Sequence, residues 1–397
     1  MKVLVFNCGS SSIKFQLFSM PEGDVIAKGM VQRIGEKGSD ASMKRGNDEI
    51  KLVREIKDHT EGLSVIEHML TDPAKGAVKS MDEIGACGHR VVHGGEGFTA
   101  SMLIDERVEK VIEEYCDLAP LHNPPNLTGI REAKKFLPSV PQVACFDTAF
   151  HQTIPETAYL YALPYELYEK FKVRRYGFHG TSHRYVAERG AALLKKPFDQ
   201  FDAITCHLGN GCSMAAVKNG KCVDTTMGLT PLEGLVMGTR TGDFDPAIIF
   251  YLERKGYSLD DVDTLCNKKS GLLGISGVSN DVRDLEEKAA KGEGRAALAL
   301  EIFAYRIRKY IGAYLAVLNG ANAIIVTGGI GENGPIMRKR IFSGMEKLGI
   351  ILDASKNTAS VKEGEIQASS SAIKLMVVPT NEEGAIARDT YAIATKK

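Results

Sequence analysis

Two short stretches of this chain repeat one plan, and that plan constrains the fold more than any bulk property does. Val3-Leu-Val-Phe-Asn-Cys-Gly-Ser-Ser-Ser-Ile-Lys-Phe-Gln-Leu and Ile204-Thr-Cys-His-Leu-Gly-Asn-Gly-Cys-Ser-Met-Ala-Ala-Val each run apolar strand, small-residue turn, second strand. The second copy continues through Lys218-Asn-Gly-Lys into a third strand at Cys222–Thr225. Asn-Gly tolerates the left-handed backbone of a tight hairpin turn, so the three strands should form a meander. A chain that opens two sheets in the same way is expected to contain two similar sheet domains.

The rest of the sequence supplies the other layers. Strands are expected at Val3–Phe6, Ile13–Leu17, Gln142–Cys145, Ala203–His207, Ala323–Val326 and Leu375–Val378. Between them lie helical patterns. The clearest runs from about Ala296 to Leu318, where Leu298, Ile302, Tyr305, Ile307, Ile311, Tyr314 and Val317 keep a spacing near 3.6. Such alternation marks an α/β protein with helices covering its sheets.

Charge excludes some functions. Lys+Arg and Asp+Glu both number 50, so no field of one sign draws nucleic acid or a membrane surface. Any bound anion must be held by local groups. No apolar run approaches the ~20 residues of a membrane helix. The first residues read as a strand rather than a signal peptide, because Gly9 and three serines end the run, so a cytoplasmic protein is expected. The eight cysteines are scattered singly (Cys87, Cys145, Cys206) with no C-x-x-C pair, the usage of reduced core thiols; neither disulfide nor zinc is expected.

The turns suggest what anion is held. Asn7–Ser12 leaves as a strand, with Ile13, Phe15 and Leu17 alternating with Lys14 and Gln16, and it lacks the G-x-x-x-x-G-K-[ST] pattern of a Walker loop. Its small residues let backbone N–H groups and hydroxyls approach phosphate oxygens, with Lys14 as a nearby cation. Gly209-Asn210-Gly211 is its counterpart, and two such turns facing one another would grip a triphosphate. Near the other end, Ala323-Ile-Ile-Val-Thr-Gly-Gly-Ile-Gly-Glu-Asn-Gly is a strand entering a glycine turn and then a helix, Pro335–Leu348. Gly329, Gly331 and Gly334 match G-x-G-x-x-G, and a following strand at Ile350–Leu352 ends in Asp353, so dinucleotide binding is the rival reading. The motif comes late in the chain, with little sequence left to finish a doubly wound sheet. It reads better as a platform for adenosine.

Side chains that meet an anion are expected from glycine-rich polar stretches. Arg90 lies in Gly88-His-Arg-Val-Val-His-Gly-Gly and Arg240 in Gly238-Thr-Arg-Thr-Gly-Asp. A planar guanidinium takes a carboxylate or phosphoryl group bidentately. Asp147 follows a strand directly, as Glu382 and Glu383 do, the position of metal-holding carboxylates or of helix N-terminal acids. His179 and His183 are four apart without H-E-x-x-H. Tyr176-Gly-Phe-His-Gly-Thr-Ser-His therefore reads as a loop entering a helix capped by Thr181 or Ser182, with His179 projecting toward the ligand. His207, on a strand, reads as a packed residue.

Eight motifs in order, Asn7-Cys-Gly-Ser-Ser-Ser-Ile-Lys, Gly88-His-Arg-Val-Val-His-Gly-Gly, Phe146-Asp-Thr-Ala-Phe-His, Tyr176-Gly-Phe-His-Gly-Thr-Ser-His, His207-Leu-Gly-Asn-Gly, Met237-Gly-Thr-Arg-Thr-Gly-Asp, Gly328-Gly-Ile-Gly-Glu-Asn and Thr380-Asn-Glu-Glu, resemble those of the acetate kinase family over the whole chain. The resemblance implies an α/β protein of the two-domain actin, Hsp70 and sugar-kinase superfold, with a duplicated βββαβαβα ribonuclease H-like core. The first domain would span 1–150 with 383–397, and the second 151–382. It implies a homodimer formed through the second domain, and reversible transfer from ATP to acetate giving ADP and acetyl phosphate, with Mg²⁺ (or Mn²⁺) as cofactor, in acetate metabolism and acetyl-CoA formation.

Residue by residue, the resemblance implies Asn7 and Glu382 at the metal, with Asp147 organising it. Ser10, Ser12 and Lys14 would lie at the phosphates. Arg90, Arg240 and His179 would act on acetate and the phosphoryl group in flight, and Val92, Leu121, Phe178 and Pro231 would form the methyl pocket. His207, Leu208, Gly209, Asn210, Gly211, Asp281, Val282, Arg283, Gly329, Ile330, Gly331, Glu332 and Asn333 would hold the nucleotide. Acetate, with a pKa near that of Glu (about 4.3), is already an ionised nucleophile at neutral pH, so no general base is needed. A non-enzymatic ATPase-like clamp, the third reading, would not need a second anion site with an arginine pair beside an apolar pocket.

Overall fold

Alternation dictates where each strand of the first sheet buries its side chains. In the computed structural model, which describes residues 1–120 and 122–396, β1 (Lys2–Cys8) sends Leu4 and Phe6 to one face and Val3 and Val5 to the other. Both faces are covered, so nearly every residue of the strand is apolar. On the first face Leu4, Phe6, Ile13, Phe15 and Leu17 pack with Leu63, Ile66 and Met69 of helix His59–Leu70. On the second, Val3, Val5, Val143 and Cys145 meet Ile386 and Ala387 of helix Glu382–Ala394. Fully burying a leucine- or phenylalanine-sized side chain contributes about 1.5–3 kcal/mol, so each face is a cooperative core.

The chain forms two compact units, Met1–Gln152 with Asn381–Lys397, and Thr153–Thr380. In the first, β1 is followed by β2 (Ser12–Ser19), β3 (Asp24–Gln32), β4 (Asp40–Arg45), β5 (Asp48–Val53), β6 (Ile84–Val91), β7 (Met102–Leu103) and β8 (Gln142–Phe146), in the order β5-β4-β3-β2-β1-β6-β8-β7. In the second, β9 (Ala203–Leu208), β10 (Cys212–Lys218), β11 (Lys221–Thr225), β12 (Ala323–Thr327), β13 (Gly364–Glu365) and β14 (Lys374–Val377) are ordered β11-β10-β9-β12-β14-β13. The cores β3-β2-β1-β6-β8 and β11-β10-β9-β12-β14 have the same plan. An antiparallel meander of three is joined by two strands parallel to its first member. This is the duplicated ribonuclease H-like arrangement, and the echoed turns sit at the same place in each copy, between the first and second strands.

Several local expectations are corrected. Helix Gly180–Leu193 is not capped by Thr181 or Ser182; both lie inside its first turn, and the cap position is His179, held at φ 57°. The helix after the glycine turn ends at Phe342, because Ser343 is extended and Gly344 left-handed (φ 79°), and Glu346–Leu348 is a separate 3-10 turn. Ile350–Leu352 makes one isolated bridge, Leu352 to Gln367, rather than a strand. Asp353 there caps a turn, accepting from the Ser355 backbone (2.9 Å) and hydroxyl (2.6 Å). That turn offers no ribose carboxylate after a core strand, and the dinucleotide reading loses its second element. Among the described residues no helix is long and apolar enough to cross a membrane.

Candidate active site

The two units each gather part of the expected site. In the first, the turn between β1 and β2 is tied at several points. Gly9 N donates to Ser12 O (2.8 Å), Gly9 O bonds to His59 Nε2 (2.8 Å), and Ser11 O accepts from Ile34 N (3.0 Å). Asn7 and Lys14 face each other across the β1–β2 ladder, so both side chains leave the same face at the turn. Asn126, buried on helix Asn123–Phe136, donates to Cys8 O (2.7 Å) and accepts from Val92 N (3.1 Å). Its neighbour Asn123 brackets His93 by its backbone N–H and C=O (both 3.0 Å). One helix thus locks the β1–β2 turn to the segment carrying Arg90 and Val92. Sequence reasoning missed both asparagines and His59. The signal was His122-Asn-Pro-Pro-Asn, where two amides at a proline-started helix end are too polar for a core unless they serve backbone.

Arg90 leaves β6 toward a cluster of carboxylates. Its guanidinium is bonded to Asp147, which is fully buried after β8; burial lowers the arginine's pKa, but Asp147 first and then Glu382 and Glu383 raise it by more. Glu382 opens helix Glu382–Ala394, whose N-cap Asn381 accepts from Gly384 N (2.9 Å). Burial first, and the neighbouring Asp147 second, push the Glu382 carboxyl up to about 7. A half-buried carboxyl raised in this way beside a fully buried aspartate leaves room for further positive charge. No group of three or more His, Cys, Asp or Glu residues is arranged as a metal cage among the described residues. Magnesium, which keeps several waters and uses one or two carboxylates with substrate phosphates, fits such a pair. Val92 is buried beside Arg90, and Leu121 lies outside the described residues.

In the second unit the counterpart turn follows β9. Gly209 N donates to Gly211 O (3.2 Å), and Asn210 O accepts from Gly238 N (2.9 Å). A Cβ on Gly238 would lie 1.9 Å from Asn210 Oδ1, so only glycine allows this approach. A Cβ built on Gly211 would lie 3.7 Å from His179 Nε2 and 3.8 Å from Arg240 Nη1, which puts the histidine, the arginine and the turn around one spot. His179 stacks on His207 (4.3 Å between ring centres) and Nδ1 bonds to Ser213 Oγ (2.8 Å). His207 is therefore no plain core residue; its Nδ1 bonds to Ser182 Oγ (2.8 Å).

Arg240 is half-buried and its Nη1 meets only Pro231 O (3.3 Å) and Met237 Sδ (3.8 Å). Among the described residues it has no carboxylate partner, and burial lowers its pKa. A partly desolvated guanidinium without an acid costs free energy until an anion arrives. The loop carrying it is braced from behind. Arg175 donates to Thr225 O (2.8 Å), Thr226 O (3.1 Å) and Glu233 (2.6 Å), and Tyr310 donates to Asp243 (2.6 Å). Phe178 is buried and Pro231 half-buried.

A cavity of about 540 Å³ opens beside the turn, lined among others by Asn210, Asp281, Val282, Gly329, Ile330 and Asn333. Arg283, also on its wall, is largely exposed and paired with Asp281 (2.7 Å). Three expected nucleotide residues turn away. Leu208 is fully buried, and a Cβ on Gly331 would press on Val326 C at 3.3 Å, so that glycine serves helix-to-strand packing. Glu332 Oε1 accepts from Gly328 N (2.9 Å), Thr327 Oγ1 (3.1 Å) and Thr380 N (3.1 Å), so its carboxylate is committed to joining the turn to the segment after β14. Lining residues missed include Asn280, which donates to Asn210 Oδ1 (3.0 Å), and Glu286, whose Oε1 is buried with no hydrogen-bond partner among the described residues.

Comparison with known proteins gives a consistent picture. The family model described as "Acetokinase family" matches residues 2–388. The chain is 56% identical to "Acetate kinase" of Thermotoga maritima over 400 residues, covering 100% of this chain and 99% of the other. It superposes on the crystal structure of Porphyromonas gingivalis acetate kinase with TM-score 0.95 and 47% identity, 99% of each chain being covered. A propionate kinase from Francisella tularensis superposes with TM-score 0.93 and 43% identity, again over 99% of each.

Proposed function

The chain belongs to the acetokinase family, and from that premise we propose that it transfers the γ-phosphoryl group of ATP to acetate, reversibly, in a single in-line step. The observation that carries this reading is Arg240, a braced, partly buried guanidinium beside His179 and the glycine turn, with no acid partner among the described residues. In the forward direction an acetate oxygen attacks γ-phosphorus, the bond to the ADP oxygen breaks, and ADP leaves as an anion, with no proton moved. The catalytic burden is repulsion between anions and charge on the equatorial oxygens, which suits Arg90, Arg240 and His179. Asp147 and Glu382, with Asn7, would hold Mg²⁺, which when bound neutralises phosphate charge. Mn²⁺ has the same preference for oxygen ligands. Ser10, Ser12, Lys14, Gly209, Asn210 and Gly211 take the phosphates. His207, Asp281, Val282, Arg283, Gly329, Ile330 and Asn333 take the nucleoside.

Domains 1–150 with 383–397 and 151–382 divide these tasks between acceptor with phosphate and nucleotide with self-association. The apolar face of helix Ala247–Glu253 has no buried residue, Ile248, Phe250 and Tyr251 being 42–57% exposed, and is assigned to a second copy in a homodimer. A Phe250→Glu protein that remained dimeric by light scattering would end that assignment. The enzyme is assigned to the cytoplasm and to acetate metabolism feeding acetyl-CoA. The function is tested by acetate-dependent ADP formation with hydroxylamine trapping, together with the stereochemistry at a chiral γ-phosphorus. Acetyl hydroxamate and inversion are expected. Retention would replace direct transfer by a phospho-enzyme, and ADP formation indifferent to acetate would remove the carboxylate acceptor.

A further inference from the structure

Behind His179 lies a run of buried hydrogen bonds that the reaction scheme does not use. His179 Nδ1 is 2.8 Å from Ser213 Oγ, which is 2.7 Å from His183 Nε2, and His183 Nδ1 is 2.7 Å from Thr205 Oγ1. Ser213, His183 and Thr205 are fully buried. The fold makes the run unavoidable. His183 is one helical turn beyond His179, while Thr205 and Ser213 come from the paired strands β9 and β10. From this geometry we infer that Ser213, His183 and Thr205 are positioning residues that fix the proton of His179 on Nε2.

A serine hydroxyl between two imidazole nitrogens has one proton, so it donates to one ring and accepts from the other. A neutral histidine likewise donates through one nitrogen and accepts through the other. The three bonds must therefore all point toward His179 or all away from it. Thr205 decides the direction. The other acceptor its hydroxyl reaches is Ala215 O at 3.5 Å, at the edge of hydrogen bonding, so a Thr205 that accepted from His183 would leave its own buried proton poorly satisfied. Thr205 thus donates to His183 Nδ1, His183 Nε2–H donates to Ser213, and Ser213 donates to His179 Nδ1. A doubly protonated His183 would impose the same direction on Ser213.

The proton of His179 is then on Nε2, the nitrogen beside Gly211 and Arg240. His207, stacked on the ring and itself tied through Ser182 to Thr380 (2.8 Å), holds the plane of the imidazole in place. A neutral His179 locked in this tautomer still presents a donor to the phosphoryl oxygens, which rests on the role proposed above for His179.

The test is nitrogen NMR of the full-length protein labelled with ¹⁵N-histidine, with the His179 signals identified by their loss in His179→Asn. The expected wild-type spectrum has a proton-bearing Nε2 and a bare Nδ1. Ser213→Ala should give a mixture of tautomers and lower kcat roughly tenfold, the low end for partners that orient a working histidine, with KM for ATP and acetate little changed. Ser213→Thr should restore the single tautomer. Thr205→Val, which keeps the shape, should move the proton toward Nδ1, and covers the case in which Ser213→Ala does not fold. A wild-type His179 protonated on Nδ1, or a tautomer that ignores both Ser213→Ala and Thr205→Val, overturns the inference. Unimpaired turnover in His179→Asn would instead overturn the role of His179 itself.

Discussion

Replacing Glu332 by Ala separates holding the glycine turn from touching a bound nucleotide. One carboxylate oxygen accepts from two backbone amides, Gly328 N and Thr380 N, and from Thr327 Oγ1. Hydrogen bonds to a charged group contribute about 1.5–3 kcal/mol each, so losing the two amide partners costs about 3 kcal/mol at the low end, before any rearrangement. That loss falls on the junction between β12, the glycine turn and the segment after β14. At 1.4 kcal/mol per factor of ten, the amides of residues 328 and 380 should exchange with solvent about a hundredfold faster, read by hydrogen–deuterium exchange on peptides covering them. Glu332→Gln, which keeps an acceptor at the same place, should recover most of the protection. ATP affinity should follow protection through the series. Unchanged exchange in Glu332→Ala with ATP binding lost would show that Glu332 meets the nucleotide directly and would refute the reasoning.

Arg240→Ala should lower kcat by about 10²–10³ with little change in melting temperature, and Arg240→Lys should not restore it, because an ammonium lacks the planar fork; steady-state kinetics decide. Val92→Ala should shift relative kcat/KM toward propionate by roughly tenfold, and equal ratios for both acids would remove Val92 from the pocket. Gly329, where a Cβ meets nothing within 4 Å, and Gly331, where it meets Val326, should differ: Gly329→Gln weakens ATP but not tripolyphosphate by calorimetry, whereas Gly331→Gln lowers the melting temperature. Burial pushes His89 down to about 4 despite its bond to Gln142 Oε1 (2.7 Å). The unfolded chain takes up this proton near pH 6.5 and the folded one does not. The stability His89 confers is thus complete above 6.5 and is lost as pH falls toward 4, by on the order of 3 kcal/mol. His89→Gln should flatten that stretch of the stability profile, and an unchanged slope would show that His89 charges in place.

Turns, periodicity and residue type were legible without a structure because they are local. The echo of Val3–Leu17 in Ile204–Val217 predicts two sheets that open with equivalent turns, and β1–β2 and β9–β10 are those hairpins. Glycine-flanked arginines and strand-end carboxylates pointed to Arg90, Arg240, Asp147 and Glu382 for the same reason: flanking backbone chemistry makes room for ligands. What tertiary structure alone decided is which polar groups are spent on the protein itself. Glu332 and Asn333 are neighbours in one motif, yet one serves three groups where β12, the glycine turn and the segment after β14 meet, and the other lines the cavity beside Asn210. Arg90 and Arg240 read alike in sequence, but one is paired with a buried aspartate and the other has no acid partner among the described residues. Asn126 and Ser213 carry no motif of their own. Their importance comes from distant segments that reach them through space, Cys8 and Val92 for one, His179 and His183 for the other. A hydrogen bond satisfied 118 residues away leaves no periodicity in the chain, so only the folded arrangement reveals it.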